Sequence, residues 1–178
     1  FCELKANFFR LILTKAELLA LTPADFDFTT HTLRINKSYQ RLNREDVITP
    51  PKTFKSNRFI KMPQFICDEI QDYMEMLYGL KEDERIFKIS KSYLHHEMNR
   101  GSKVSGVKRI RVHDLRHSHV SLLINMGFTV LAIADRMGHE SIDITYRYAH
   151  LFPSEQTQMA EQLDIERMEK LNGEKSGQ

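Results

Sequence analysis

A chain of 178 residues with 41% hydrophobic composition can bury one well-filled core, and it has no run of eighteen apolar residues able to cross a membrane as a helix. The formal net charge of +2 is too small to identify a partner, so the distribution of charge has to be read instead. Cys2 and Cys67 lie far apart without metal-ligand spacing, which argues against a disulfide framework and suits a reducing compartment. The chain starts at Phe1 with no signal-peptide pattern, and it reads as a piece of a longer protein.

In chain order, Glu3 to Leu21 reads as a helix, with Phe8, Leu11, Ile12, Leu18, Leu19 and Leu21 as apolar stripes. Thr22-Pro23-Ala24-Asp25 is a cap-and-proline start for a short turn. Thr32 to Tyr39 alternates as a strand, and Ile48 to Pro63 offers two short strands around Lys52 to Arg58. Pro63 to Leu80 is an amphipathic helix with Phe65, Ile66, Ile70, Tyr73, Met74 and Leu77 on its apolar face. Arg85 to Ile89 reads as extended, Ser90 to Arg100 as a helix capped by Ser90, and Gly101 to Arg111 as a basic loop. Val112 opens a central helix with Leu115, His119, Leu122, Leu123 and Met126 as its core stripe. Thr129 to Met137 is a further helix burying Leu131, Ile133, Ala134 and Met137, closed by a left-handed cap at Gly138. Ser154 to Leu171 reads as a terminal helix, and Asn172 to Gln178 as a frayed tail.

Charge is unevenly spread. Eight Lys/Arg stand against two acids from Arg34 to Lys61, and six against Asp114 from Arg100 to His117; after Pro153 six acids face three bases. Two basic blocks and an acidic tail imply one DNA-facing side, with Lys55, Arg58, Lys108, Arg109 and Arg111 as candidate contacts. A solvated charged surface is the plainer reading of either block.

In segment 111–153 four residues of types that bind or attack phosphate sit beside ordinary core residues: His113, Arg116, His139 and Tyr148. His113 and Arg116 share a helix face near an N-terminus, where free amides favour an anion. Each also has an ordinary reading: His113 as a cap, Arg116 as a partner of Asp135, His139 as a surface residue, Tyr148 as packing. His113, His117 and His119 together invite a zinc assignment. Their spacing does not put all three on one face, and no catalytic metal or other cofactor is expected. Tyr146 and Tyr148 are two apart and cannot both face one site from a helix.

His113-Asp114-Leu115-Arg116-His117, Met137-Gly138-His139 and Tyr148-Ala149-His150-Leu151, in that order, resemble the catalytic domain of tyrosine recombinases, the phage-integrase family. The likeness extends more faintly back to about Ala16. It implies the DNA breaking-rejoining fold, mainly α with a small antiparallel β-sheet (an α+β architecture), as one catalytic domain over residues 1–178 with DNA-binding domains lying N-terminal to it. It also implies site-specific recombination of double-stranded DNA through a 3′-phosphotyrosyl intermediate, by an enzyme that assembles as a tetramer on DNA in the bacterial cytoplasm. Tyr148 is then the nucleophile, and Arg116, His113 and His139 hold the phosphate. Lys52, in the Pro51-Lys52-Thr53 motif of a hairpin, donates a proton to the leaving 5′ oxygen. The terminal helix packs on a neighbouring protomer or folds back in cis.

One position departs from the pattern. Glu17-Leu18-Leu19-Ala20-Leu21 matches the family's segment after its first catalytic arginine, and Glu17 is a supporting residue, yet Thr14 stands where that arginine belongs. Residues omitted between Leu13 and Lys15, Lys15 acting as a substitute point charge, and an inactive relative each explain this. The intact pattern on both sides favours omission. A true loss costs several powers of ten in rate. Two rival functions remain: a type IB topoisomerase, and a non-catalytic helix-turn-helix module using the 112–137 helix pair.

Overall fold

The structure is a computed structural model, which describes residues 13–51, 53–148, 150 and 159–167. The expected long first helix is cut short within them. Thr14 is extended (φ −70°, ψ 159°), and α1 runs only Lys15–Leu18. A reciprocal cap explains the start: the Glu17 amide donates to Thr14 Oγ1 (3.2 Å) and the Thr14 amide to Glu17 Oε2 (2.7 Å). Around the 3-10 turn Pro23–Asp25 the Thr22 amide and hydroxyl both donate to Asp25 Oδ2 (2.9 Å each).

Five strands follow: β1 Phe26–Asp27, β2 Thr32–Ile35, β3 Ser38–Leu42, β4 Glu45–Thr49 and β5 Arg58–Lys61. They form two antiparallel sheets, β1-β2-β5 and β3-β4. The single strand expected over Thr32 to Tyr39 is thus split. Lys37 reaches back to Asp25 (2.7 Å) and Thr22 Oγ1 (2.8 Å), and the chain passes from one sheet to the other beside that anchor. The hairpin turn is Asn43-Arg44, both at positive φ, as a tight two-residue connection needs. The hairpin expected around Lys52 is also corrected: β4 and β5 belong to different sheets and are joined through a 3-10 turn at Phe54–Ser56. Lys52 itself lies outside the described residues.

Helix α2, Gln64–Glu75, buries Ile66, Cys67, Ile70 and Tyr73 at helical spacing. Phe65, expected on that face, is one position off it and 43% exposed. α3, Lys91–Ser105, has the expected cap, Ser90 Oγ accepting from the Tyr93 amide (3.1 Å). It runs on to Ser105, so the segment read as a loop from Gly101 is helical in its first five residues and irregular only from Gly106 to Arg111. Ser102 and Ser105 turn their hydroxyls onto the carbonyls of Met98 and Gly101, and left-handed Gly106 ends it. Then come α4, Asp114–Asn125, α5, Val130–Met137, and α6, Asp143–Tyr146. Residues 159–167 form a helix whose Met159, Leu163 and Ile165 are exposed; the rest of the expected terminal helix and the tail lie outside the described residues.

Two apolar clusters hold these elements. The larger joins α1, β2, β5, α2 and α3 around Leu19, Leu33, Ile60 and Ile70. The smaller consists of Val120, Ile124, Ile133 and Met137, with Leu123 and Tyr148 packed on it. The stripe expected on α4 is out of phase: Val120 and Ile124 are buried, whereas Leu122 and Met126 are 49% and 62% exposed. α4 has apolar residues on several sides, and the position of α5 selects which of them is inside. Leu131, expected in the core, is 68% exposed.

Candidate active site

Arg116 leaves α4 one turn from its start, and its Nη2 donates to the Met137 carbonyl at the end of α5 (2.5 Å). That bond ties α4 to the Met137-Gly138-His139 turn. Gly138 is left-handed (φ +65°), and a Cβ there would meet Arg58 Cδ at 2.9 Å and the Lys55 carbonyl at 3.0 Å. Only glycine fits both the backbone and the space. His139 follows, with Nδ1 2.7 Å from the fully buried Thr145 Oγ1 of α6. With Nδ1 so occupied, Nε2 is the nitrogen left to meet a ligand.

Tyr148 follows α6, its amide donating to the Thr145 carbonyl (3.0 Å), and its ring packs on the smaller cluster. Its hydroxyl is hydrogen-bonded to His117 Nδ1. Tyr146 is 53% exposed. His113 is the residue before α4 and makes no side-chain cap; its ring meets that of His117 edge-on, centroids 4.9 Å apart.

Beside Arg116 and His113 opens a cleft of about 290 Å³ lined also by Leu13, Thr14, Lys15, Lys91 and Val112. Lys15 Nζ lies 3.1 Å from His95 Nε2 at the side of α3. Thr14, where the resemblance calls for arginine, therefore sits in the wall of a cleft that already carries Lys15, Lys91 and Arg116.

Glu17 and Arg58 form a buried pair, Nη1 to Oε1 at 2.9 Å. Arg58 also donates to the carbonyls of Arg136 (3.2 Å) and Ser56 (3.2 Å). This corrects the reading of Arg58 as a DNA contact: it is 8% exposed and its guanidinium is spent inside the protein. Of the other candidate contacts, Lys55, Lys108 and Arg109 are exposed, and Arg111 is exposed but paired with Asp114 (2.9 Å).

The charges explain the titration behaviour. Burial, and then the nearby charges of Arg116, Arg58 and His117, lower His139 from the usual 6.5 to about 4. Burial, then His117 and Arg116, also lower His113. Burial pushes the Tyr148 phenol up, only partly opposed by Arg116 and Arg147. For Glu17 burial acts upward, but the Arg58 hydrogen bond and charge, the Thr14 amide and Arg116 together carry it below its usual value.

The fold therefore brings Arg116, His139 and Tyr148 together and sets His113 at the cleft beside Arg116. Sequence reasoning missed the contacts of His117, Thr145 and Lys91. His117 was legible as the residue four after His113 on one helix face; Thr145 and Lys91 carried no signal, since each joins the site through a different element.

The model of the phage integrase family matches residues 9–155, and the chain belongs to that family. Among curated relatives, it is 32% identical over 162 residues to the ICEBs1 integrase of Bacillus subtilis (strain 168), covering 83% of this chain and 44% of that protein. It is 26% identical over 148 residues to a putative prophage phiRv2 integrase of Mycobacterium tuberculosis, covering 79% and 40%. The chain thus spans less than half the length of these relatives. Among solved structures, the Tn1549 transposon integrase in complex with transposon right end DNA superposes with a TM-score of 0.71 at 19% identity, over 93% of this chain and 57% of that one. XerA recombinase superposes at 0.65 with 20% identity, over 91% and 57%. Both share the mixed α+β fold with small antiparallel strands.

Proposed function

We propose that this chain is the catalytic portion of a site-specific recombinase that cleaves and rejoins double-stranded DNA through a 3′-phosphotyrosyl intermediate. The observation that carries the reading is the convergence of Arg116, His139 and Tyr148 from three elements, with Arg116 bonded to the turn that presents His139. Tyr148 Oη attacks the scissile phosphorus and the P–O5′ bond breaks. Arg116, His113 and His139 Nε2 stabilise the charge that builds on the non-bridging oxygens. For neutral His139 to donate through Nε2, the Thr145 hydroxyl donates to Nδ1, which makes Thr145 a positioning residue. Lys52 gives O5′ its proton. The phosphodiester energy stays in the tyrosyl bond, so a 5′ hydroxyl of another strand reverses the step without ATP or metal.

Lys15 and Lys91 supply cationic charge in the cleft where the resemblance calls for an arginine, as point charges without the bidentate fork. The relatives named integrases and the DNA-bound Tn1549 integrase support duplex DNA as the substrate. Assembly as a tetramer on DNA, in a bacterial cytoplasm, belongs to the same proposal. Lys55, Lys108 and Arg109 contact phosphate, so binding weakens steeply with salt.

A nicked suicide duplex tests the reading. A covalent protein–DNA band is expected that disappears in Tyr148→Phe and survives Tyr146→Phe; a band that survives both assigns the nucleophile elsewhere. Thr14 favours a second reading, a DNA-binding relative without catalysis. Salt-sensitive gel shifts with no covalent band from the unsubstituted protein would establish it.

A further inference from the structure

The reaction above leaves the phenolic proton of Tyr148 without a destination. His113, the histidine of the phosphate-binding motif, lines the cleft beside Arg116. The ring that meets the Tyr148 hydroxyl belongs to His117, one turn further along α4, whose Nδ1 is hydrogen-bonded to it with ring centroids 5.6 Å apart. From the hydrogen bond between His117 Nδ1 and the Tyr148 hydroxyl, we infer that His117 is a further catalytic residue: it accepts the phenolic proton as Tyr148 attacks and returns it when the tyrosine leaves.

This rests on Tyr148 being the nucleophile. The balance is complete: the Oη–H proton moves to Nδ1 as Oη bonds phosphorus, and the P–O5′ pair leaves with O5′, which is protonated separately by Lys52. In the reverse step a 5′ hydroxyl attacks, the P–Oη bond breaks, and Oη recovers its proton from the His117 imidazolium. Nδ1 can accept only if Nε2 carries the ring hydrogen, so the required tautomer follows from the contact. A base is needed because the half-buried phenol is held above its ordinary value and is protonated at neutral pH. The charged and titratable groups around His117 are His113 and Asp114 on its own helix, with His139 and Tyr148 opposite.

The test is single-turnover cleavage of a suicide duplex by the full-length protein carrying His117→Ala or His117→Asn. Asn can keep a hydrogen bond to the phenol at the Nδ1 position but cannot take a proton. Both variants are expected to slow cleavage by about 10²–10⁴-fold, as loss of a general base does, with DNA affinity unchanged. Replacing O5′ by sulfur, which removes the need to protonate the leaving group, should leave that loss in place. Wild-type rate in His117→Asn would mean that His117 only orients the tyrosine and would overturn the inference. So would a loss relieved by the sulfur substrate, or a His117→Ala rate within about threefold of wild type. Adduct formation by Tyr148→Phe would instead overturn the nucleophile assignment, a separate result.

Discussion

The two apolar clusters differ in how they hold the chain, and the active site is built on the weaker of them. Around Leu19, Leu33, Ile60 and Ile70 the elements are joined by continuous aliphatic burial over one face of β2 and β5, whose alternate residues Arg34, Phe59 and Lys61 are exposed. Around Val120, Ile124, Ile133 and Met137 four buried side chains suffice; Val112 and Leu115 tie the start of α4 to the larger cluster, and polar bonds add to that attachment. Arg58 Nε donates to the Arg136 carbonyl while Arg136 Nη1 donates to the Lys61 carbonyl (3.1 Å), a reciprocal clamp between β5 and α5. Glu17 anchors the clamp from α1. Aliphatic packing tolerates small shifts, whereas a buried charge that loses its partner does not. On the α5 side the site is thus coupled to the larger core through the contacts most sensitive to substitution.

The largest effect should come from that anchor. Glu17→Ala leaves the Arg58 guanidinium buried without its carboxylate and is expected to cost about 3–5 kcal/mol, read as a lowered denaturation midpoint with an unchanged slope. A loss below about 1 kcal/mol would mean that the clamp is not what joins the two regions. Next is Ile124→Ala, expected to cost about 2–5 kcal/mol. Hydrogen exchange should then lose protection in α4 and α5 before β2 and β5. Equal loss in both would show one cooperative unit in place of two. Gly138→Ala forces a left-handed backbone for about 1–2 kcal/mol and pushes on Arg58 Cδ. It should reduce cleavage more than it reduces stability, because His139 is the next residue.

Acid provides a graded test of the polar side of the comparison. His139 stays neutral in the folded protein down to about 4 but takes a proton near 6.5 when unfolded. Between those values the unfolded chain binds more protons, so stability should fall as pH drops from 6.5 toward 4. His139→Gln should reduce that slope without abolishing it, since burial also lowers His113 and His95. Glu17, held below its usual value of 4.5, adds a further loss only in more acidic solution. The smallest effect is expected in the hairpin: Ile48→Thr, across from Tyr39 and 44% exposed, should cost under about 1 kcal/mol in thermal unfolding.

Local chemistry was legible where it is written in adjacent residues. Ser90 as a cap, Gly138 as a left-handed stop, the turn that starts at Thr22-Pro23 and the Ile66–Ile70–Tyr73 face all follow from side chains acting on their own backbone or helix; Thr129 was read inside its helix and caps it instead. The order of His113, Arg116, His139 and Tyr148 pointed to one site for the same reason, since each sits at an element end or one turn in.

What the sequence by itself determined was therefore the inventory: the α+β class, most of the elements, and the side chains able to handle a phosphate. Tertiary structure decided how they are used. It turned Arg58 inward to Glu17, although sequence places it in a basic block, because a guanidinium reports its charge and not its direction. It rotated α4 so that Val120 and Ile124 face α5, because a helix whose apolar residues are spread over several sides has no sharp phase of its own. It placed the Tyr148 hydroxyl on His117, thirty-one residues away in the chain, a pairing fixed by the packing of Tyr148, beyond the end of α6, on the smaller core.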